Sequence, residues 1–201
     1  MIRSRGVAAL LVAGVLLAGC GKDSGSDSDA KGIVWPPKSA SASESGSAQG
    51  YNAVDVMFAQ MMVPHHAQGV DITRLASSRA TRADVKTLAA AIAATQEAEA
   101  ATMSGWLKAW GKPATAPPDE HTAHGGMPGA SPEGVAALKK ASGPTFDRAF
   151  LNMMIAQQDD AIQMARSETA GGANAQAKAL AKRIDESRTA QIKQMLAMLE
   201  S

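Results

Sequence analysis

The chain has 201 residues and is nearly neutral, with 20 Lys and Arg against 19 Asp and Glu. This length allows one ordinary domain or two small ones, and the balanced charge argues against a nucleic-acid-binding protein, which would carry a basic face. Hydrophobic residues make up 45% of the chain but aromatic residues only 3%. Because strands favour aromatic and β-branched residues, this composition favours helices. The single cysteine excludes an intrachain disulfide framework.

The N-terminal residues have the pattern of an export signal. Arg3 and Arg5 precede an apolar run over residues 7–17, which is too short to span a bilayer comfortably. The run leads into Leu-Ala-Gly-Cys, ending at Cys20. This ending resembles the bacterial lipobox, which implies cleavage before the cysteine and lipid modification of its thiol. We expect residues 1–19 to be a lipoprotein signal peptide and Cys20 to anchor the protein at the extracytoplasmic face of the cell membrane. The alternative is an ordinary secretory signal followed by an incidental cysteine.

Residues 20–50 are rich in Ser, Gly, Ala and Asp. A segment of this composition buries too little apolar surface to order itself. We therefore predict a disordered tether, which holds the following domain away from the membrane. The domain itself is predicted to span residues 51–201.

The predicted domain contains an internal repeat. In both halves apolar residues recur at spacings of three and four, which predicts amphipathic helices. We predict a four-helix bundle made of two repeated helical hairpins, over residues 51–110 and 145–201. A shift of 92 positions aligns identical residues without a gap, namely Asp55 with Asp147, Phe58 with Phe150, Met61 and Met62 with Met153 and Met154, Leu88 with Leu180, Ile92 with Ile184, Met103 with Met195, and Leu107 with Leu199.

The linker over residues 111–144 is long enough to cross the bundle. Within it, Ser131 followed by Pro132 predicts a short extra helix, because a capping serine followed by proline at the first helical position is a common helix start. In the second hairpin, we expect a break at Gly171 and Gly172 and a new helix from Asn174.

In the first hairpin, we expect the second helix to start near Thr81, with Asp84 completing an approximate capping box. Gly111 is expected to stop it. Pro64 lies inside the first helix, where it removes a hydrogen-bond donor and predicts a kink.

Polar side chains interrupt the apolar stripes of the first hairpin. An ionisable group on such a face costs free energy unless it is paired or bound to a cation, and the inner faces of helix bundles are where metal sites are built. Imidazole suits copper, zinc, iron and nickel, and thioether favours Cu(I). Methionine in such positions is also a common core filler. The candidate metal ligands here are His65, His66, Met61, Met62, Glu99 and Met103.

A second candidate copper site lies in the linker. His121, His124 and Met127 fall within seven residues of a Gly-rich stretch. Thioether beside imidazole is suited to capture of Cu(I) or Cu(II). The alternative is a solvated linker with no metal.

Four motifs together resemble the domain of unknown function 305 family over residues 51–201. The resemblance implies a ferritin-like bundle of two helical hairpins. It also implies that some relatives are exported copper-binding proteins, linked to copper tolerance, with Met and His ligands. The motifs are Met61-Met62-Val-Pro-His65-His66, Gln96-x-x-Glu99-x-x-x-Met103, His124-Gly-Gly-Met127-Pro-Gly, and Gly143-Pro-Thr-Phe146-Asp147-x-x-Phe150-Leu-x-Met153-Met154.

The second copy departs from the family pattern. Gln157 and Gln158 stand where the family usually repeats the histidine pair, and Gln191 is the counterpart of Glu99. Because amides are poor transition-metal ligands, we do not expect a symmetric dinuclear centre. The absence of Glu-x-x-His pairs also argues against a di-iron oxidase.

Arg188, the counterpart of Gln96, supports a different interpretation of the same residues. It is expected to project inward near Glu99, where a bidentate arginine–carboxylate pair would satisfy both groups without a metal. In that case the inner residues form a purely structural polar network. Its members would be Gln96, Gln157, Gln158, Arg188 and Gln191.

Two functions follow from these observations. The first is a membrane-tethered, extracytoplasmic copper-binding protein for sequestration or tolerance, with another transition metal as the alternative to copper. The second is a metal-free, lipid-anchored interaction module, whose kinked helix or central loop contacts another envelope protein. We expect no enzymatic activity, because only His65 with Glu99 offers an acid–base pair and no nucleophile accompanies it. No nucleic-acid partner is expected, and the sequence leaves the oligomeric state open.

Overall fold

The computed structural model describes residues 50–116 and 130–201. These two ranges contain helices and no strand. The helices pack α1 on α2, α4 on α5 and α1 on α4, which confirms the all-α fold of two hairpins with a short helix in the crossover. Within the same ranges, no helix has the length and apolar character needed to cross a bilayer. The helices are α1 (Ala53–Arg79), α2 (Ala83–Ala109), α3 (Pro132–Lys140), α4 (Gly143–Gly171) and α5 (Ala175–Glu200).

Several helix ends lie where local sequence signals place them. The Ser131 hydroxyl caps α3 by accepting from the backbone N–H of Gly134 at 3.1 Å. The Asn174 side chain caps α5 by accepting from two backbone N–H groups at 3.0 Å. Both starts are those predicted from the sequence. α1 continues through Pro64 as one helix.

α2 starts near Thr81, as predicted, but its start is capped differently from the prediction. Its N-cap is Arg82, and the side chain of Arg82 makes no capping hydrogen bond. The capping box expected from Thr81 and Asp84 is therefore wrong. The reason is a tertiary contact, since the backbone N–H of Thr81 donates to Asp147 of the other hairpin at 2.9 Å and its hydroxyl donates to the same carboxylate.

Asp147 and its repeat counterpart Asp55 make equivalent contacts between the hairpins. Each carboxylate lies near the start of one hairpin and accepts from two successive backbone N–H groups just before the second helix of the other hairpin. Each hairpin thus provides a carboxylate acceptor for backbone N–H groups at a helix start of the other hairpin. Asp55 accepts from Ala173 at 3.1 Å and Asn174 at 2.8 Å, and Asp147 from Thr81 at 2.9 Å and Arg82 at 3.0 Å.

The apolar core is divided into two clusters. One contains Phe58, Met62 and Met103, and the other contains Ile72 and Phe150, each with further apolar neighbours. On every long helix, polar residues lie between the members of the two clusters. We call these residues the central polar layer, and they are His65, His66, Gln96, Glu99, Gln157, Gln158, Arg188 and Gln191.

Candidate metal centre

Each hairpin contributes one matched hydrogen-bonded pair to the central polar layer. In the first hairpin, Nε2 of His66 lies 2.7 Å from Oε2 of Glu99. In the second hairpin, the Gln158 amide donates to Oε1 of Gln191, also at 2.7 Å. The two pairs are related by the 92-residue shift. The same geometry therefore holds an ionisable pair in one copy and a neutral amide pair in the other.

A second set of contacts joins the two hairpins across the layer. The Gln157 amide nitrogen lies 3.3 Å from Nδ1 of His65, its own repeat counterpart. The Gln96 amide in turn donates to Oε1 of Gln157 at 3.2 Å. Gly69 leaves room for this pair, because a Cβ there would lie 2.1 Å from Oε1 of Gln96 and 2.5 Å from Nε2 of Gln157. The close approach of the amides thus requires glycine at this position.

Arg188 enters the layer from α5 and is fully buried. Its Nη2 contacts Oε2 of Glu99, so the inward orientation expected from the sequence is present. Its Nη1 donates instead to the hydroxyl of Ser187 at 3.2 Å. The bidentate pair that we expected is therefore wrong. The oxygen that Arg188 meets is shared with His66, and only one guanidinium nitrogen reaches the carboxylate.

The two histidines are neutral at neutral pH. Burial, together with the neighbouring His66 and Arg188, lowers the pKa of His65 to about 3. Burial also lowers the pKa of His66, against the opposing effect of Glu99. Neutral imidazole is the form that binds metal ions. Neither ring thus carries the second proton that would have to leave before a metal could bind.

Among the described residues, both histidines have a buried ring nitrogen without a hydrogen-bond partner, namely Nε2 of His65 and Nδ1 of His66. Because Nε2–H of His66 donates to Glu99, its Nδ1 carries the lone pair. A histidine that binds metal generally donates its other N–H to a carboxylate or carbonyl. His66 therefore has the environment of a metal ligand, with Glu99 orienting it.

His65 is held differently. The amide nitrogen of Gln157 can only donate, so Nδ1 of His65 accepts and Nε2 carries the proton. If the Gln157 side-chain amide were flipped by a 180° rotation, its oxygen would accept from Nδ1–H of His65. The lone pair of His65 would then lie on Nε2. The two histidines face different partners, with their ring centroids 6.0 Å apart.

The candidate thioether ligands are buried beside the layer. Met62 and Met103 are fully buried in the cluster that contains Phe58, and Met61 is 6% exposed. Within residues 50–116 and 130–201, no group of three or more His, Cys, Asp or Glu side chains is arranged to hold a metal ion. A site that uses His66 therefore needs thioether ligands, or ligands from elsewhere in the chain.

The other predicted site residues lie outside the described residues. The linker candidates His121, His124 and Met127 fall between the two described ranges, and Cys20 precedes the first of them. Their assignments stay predictions.

Glu168 is a buried charged residue to which the sequence analysis gave no role. It is fully buried on α4. Burial, and then the neighbouring Asp55, raise its pKa to about 8. Among the described residues, neither of its carboxyl oxygens has a hydrogen-bond partner. The internal repeat indicates that Glu168 is buried, because its counterpart in the first copy is Ala76, a buried alanine.

Three solved structures of other proteins are similar to this structure. A DUF305 protein of Streptomyces coelicolor, described as secreted, is 29% identical, with a TM-score of 0.69 over 73% of this chain and 92% of that one. A DUF305 fragment from Deinococcus radiodurans is 28% identical, with a TM-score of 0.65 over 74% and 97%. CopM in its Cu(I)-bound form is 29% identical, with a TM-score of 0.60 over 73% and 95%. CopM is also solved in Cu(II)-bound and Ag-bound forms.

No curated protein gives a significant match to the chain. The family model for the domain of unknown function DUF305 matches residues 55–199, which contain all four long helices almost completely. The resemblance stated from the sequence motifs is thereby confirmed, and the chain belongs to the DUF305 family.

Proposed function

We propose that this protein binds copper outside the cytoplasm, is held at the membrane through Cys20, and sequesters copper or hands it on without catalysing a reaction. Three observations support the proposal. CopM, a similar protein, is solved with copper bound. The Streptomyces coelicolor relative is described as secreted. The N-terminal sequence has the pattern of a lipoprotein signal.

The observation that carries the proposal is the environment of His66. Its ring is fully buried, its Nε2 lies 2.7 Å from Glu99, and its Nδ1 has no partner among the described residues. An unpartnered polar atom in a protein interior costs free energy of about 1–3 kcal/mol. A bound metal ion removes that cost, and the hydrogen bond to Glu99 orients the ring for it.

The chemistry of the surrounding donors favours copper among the transition metals. Neutral imidazole and thioether are the ligand types present beside His66, and soft thioethers select Cu(I). His65, Met61, Met62 and Met103 are the candidate co-ligands. We propose that His121, His124 and Met127 in the linker provide a second binding point.

The internal repeat supplies a suitable variant to test the buried site. Gln157 and Gln158 occupy the positions equivalent to His65 and His66, so the fold already holds glutamine pairs there. We expect His65→Gln/His66→Gln to keep the helical circular dichroism of the wild type. Its affinity for Cu(I), measured by competition with a chromophoric Cu(I) chelator, should fall about tenfold or more, since second-shell losses alone cost about 10–100-fold.

The linker is tested separately with His121→Ala/His124→Ala/Met127→Ala. This triple variant should lower the copper stoichiometry and leave the affinity of the buried site unchanged. Cu(I) affinity and stoichiometry that stay at the wild-type level in both variants would contradict the copper proposal.

The contact between Arg188 and Glu99 favours a second candidate function. It pairs the two full charges of the layer without a metal, as a metal-free interaction module of the cell envelope would require. Such a module should co-purify with a defined envelope protein from native membranes, and a chelator should not change the yield. Native protein that contains copper and no stable partner would exclude this function.

A further inference from the structure

We propose that Arg188 makes the buried copper site selective for monovalent over divalent ions. The inference rests on the proposed function. It concerns one property of this chain, a full positive charge buried among the candidate metal ligands. Arg188 is fully buried, and the layer lies between two apolar clusters.

The charges in the layer are few and their positions are defined. Glu99 is the one carboxylate and Arg188 the one guanidinium among the eight residues of the central polar layer. The two histidines are neutral, and the remaining members are amides. The layer therefore has no net formal charge before any metal enters.

Arg188 and His66 meet at one oxygen of Glu99. Nε2 of His66 and Nη2 of Arg188 both contact the same oxygen, Oε2 of Glu99. A metal ion on Nδ1 of His66 is therefore separated from the guanidinium by one imidazole ring and one carboxylate oxygen. Repulsion between two cations grows with their charge and is weakly screened in a protein interior. A divalent ion meets about twice the repulsion of a monovalent one.

The donor atoms favour the same ion. Glu99 already interacts with His66 and Arg188, so its charge is compensated before a metal arrives. The ligands that remain are neutral imidazoles and thioethers, which suit Cu(I). A divalent ion would place two positive charges in a layer that has no uncompensated negative charge.

The repeat shows which substitution removes the charge with little change in the fold. The counterpart of Arg188 in the first copy is Gln96, which is also fully buried. Arg188→Gln thus places at this position the side chain that the first copy already accommodates. It leaves the carboxylate of Glu99 uncompensated, which should favour the ion of higher charge.

The experiment compares monovalent and divalent ions on the purified protein. The probes are Cu(I) under reducing, oxygen-free conditions, Ag(I), Cu(II) and Zn(II), each measured by competition or calorimetry. In Arg188→Gln the affinities for Cu(II) and Zn(II) should rise about tenfold, a change of about 1.4 kcal/mol, with the affinities for Cu(I) and Ag(I) altered less. Arg188→Lys, which keeps the charge, should retain the wild-type ratio.

Two further variants separate charge from packing. Arg183→Gln removes one positive charge from an exposed position on the same helix and should leave the ratio unchanged. Glu99→Gln leaves Arg188 uncompensated and should shift the ratio towards monovalent ions, opposite to Arg188→Gln. If Arg188 and Glu99 had only a structural role, Arg188→Gln and Glu99→Gln would change the ratio of divalent to monovalent affinity in the same direction. If Arg188→Gln does not fold by circular dichroism, Glu99→Gln decides the question.

The outcomes distinguish this inference from the proposed function. Wild-type protein that binds no copper, or binds it equally well after His65→Gln/His66→Gln, overturns the copper proposal and this inference with it. Copper bound at the histidines with an unchanged ratio in both charge variants overturns the role of Arg188 alone.

Discussion

His65, His66 and Glu168 bind protons differently in the folded and the unfolded chain. The pKa of His65 is lowered to about 3, that of His66 is lowered, and that of Glu168 is raised to about 8. Below pH 6.5 the unfolded chain gains protons on histidines that the folded protein leaves neutral, so stability falls as the pH decreases. Between pH 4.5 and 8 the unfolded chain loses the proton that folded Glu168 keeps, so stability falls as the pH increases.

Across the interval from pH 6.5 to 8, the histidines of the unfolded chain lose their remaining protons in the wild type and in Glu168→Gln alike, so the difference between these two proteins isolates Glu168. We predict that, across this interval, the free energy of unfolding of the wild type decreases by about 1–2 kcal/mol relative to that of Glu168→Gln, since one pKa unit corresponds to about 1.4 kcal/mol. Urea denaturation at several pH values measures both proteins.

Glu186→Gln, on the exposed face of α5, is the matched control and should keep the wild-type pH dependence. If the wild type and Glu168→Gln change in stability by the same amount between pH 6.5 and 8, Glu168 does not keep its proton in the folded protein.

At the scale of the helices, two glycines in helix interiors have opposite surroundings. A Cβ on Gly69 of α1 would lie 2.1 Å from Gln96 and 2.5 Å from Gln157, whereas a Cβ on Gly105 of α2 would meet nothing within 4 Å. Glycine in a helix interior costs about 1 kcal/mol relative to alanine. For Gly69 that cost is offset by the buried amide pair it permits.

We predict that Gly105→Ala raises the free energy of unfolding by about 0.5–1 kcal/mol through helix propensity alone. Gly69→Ala should lower it by about 1–3 kcal/mol, because the added methyl displaces the buried Gln96–Gln157 amide pair and its contact with His65. Chemical denaturation of the two variants under one condition measures the difference. Equal stabilisation by both substitutions would mean that the amide pair adapts at no cost.

At the scale of the whole molecule, the hairpins are joined at equivalent points by Asp55 and Asp147. Each carboxylate accepts backbone hydrogen bonds from the start of a helix in the other hairpin. Such charge-assisted bonds are stronger than neutral ones. The pairing therefore contributes to the association of the two copies as well as to the helix ends.

We predict that Asp147→Ala lowers the free energy of unfolding by about 1–3 kcal/mol, since it leaves the backbone donors of Thr81 and Arg82 without their acceptor. Asp55→Ala should behave similarly. Thermal and urea unfolding followed by circular dichroism measures the change, with Asp159→Ala on the exposed face of α4 as the control. A cost no larger than that of the control would show that water replaces the carboxylate fully.

The sequence by itself determined the helical class, the repeat and several helix ends. The starts at Ser131 and Asn174 were predictable because a capping side chain and its backbone donors lie two or three residues apart. The inward position of Arg188 was predictable too, because a 92-residue repeat transfers the stripe of one copy to the other. Spacing along the chain is sufficient information for each of these features.

The tertiary structure decided which atoms meet inside the bundle. Thr81 is held by Asp147, 66 residues away, rather than by its own helix. Glu99 is shared by His66 and Arg188 through one oxygen, which leaves Nδ1 of His66 unpartnered and excludes the bidentate pair. These contacts join residues distant in sequence, and their geometry depends on how the hairpins pack. Local propensity and periodicity place a side chain on a face, whereas only packing selects the atom that it contacts.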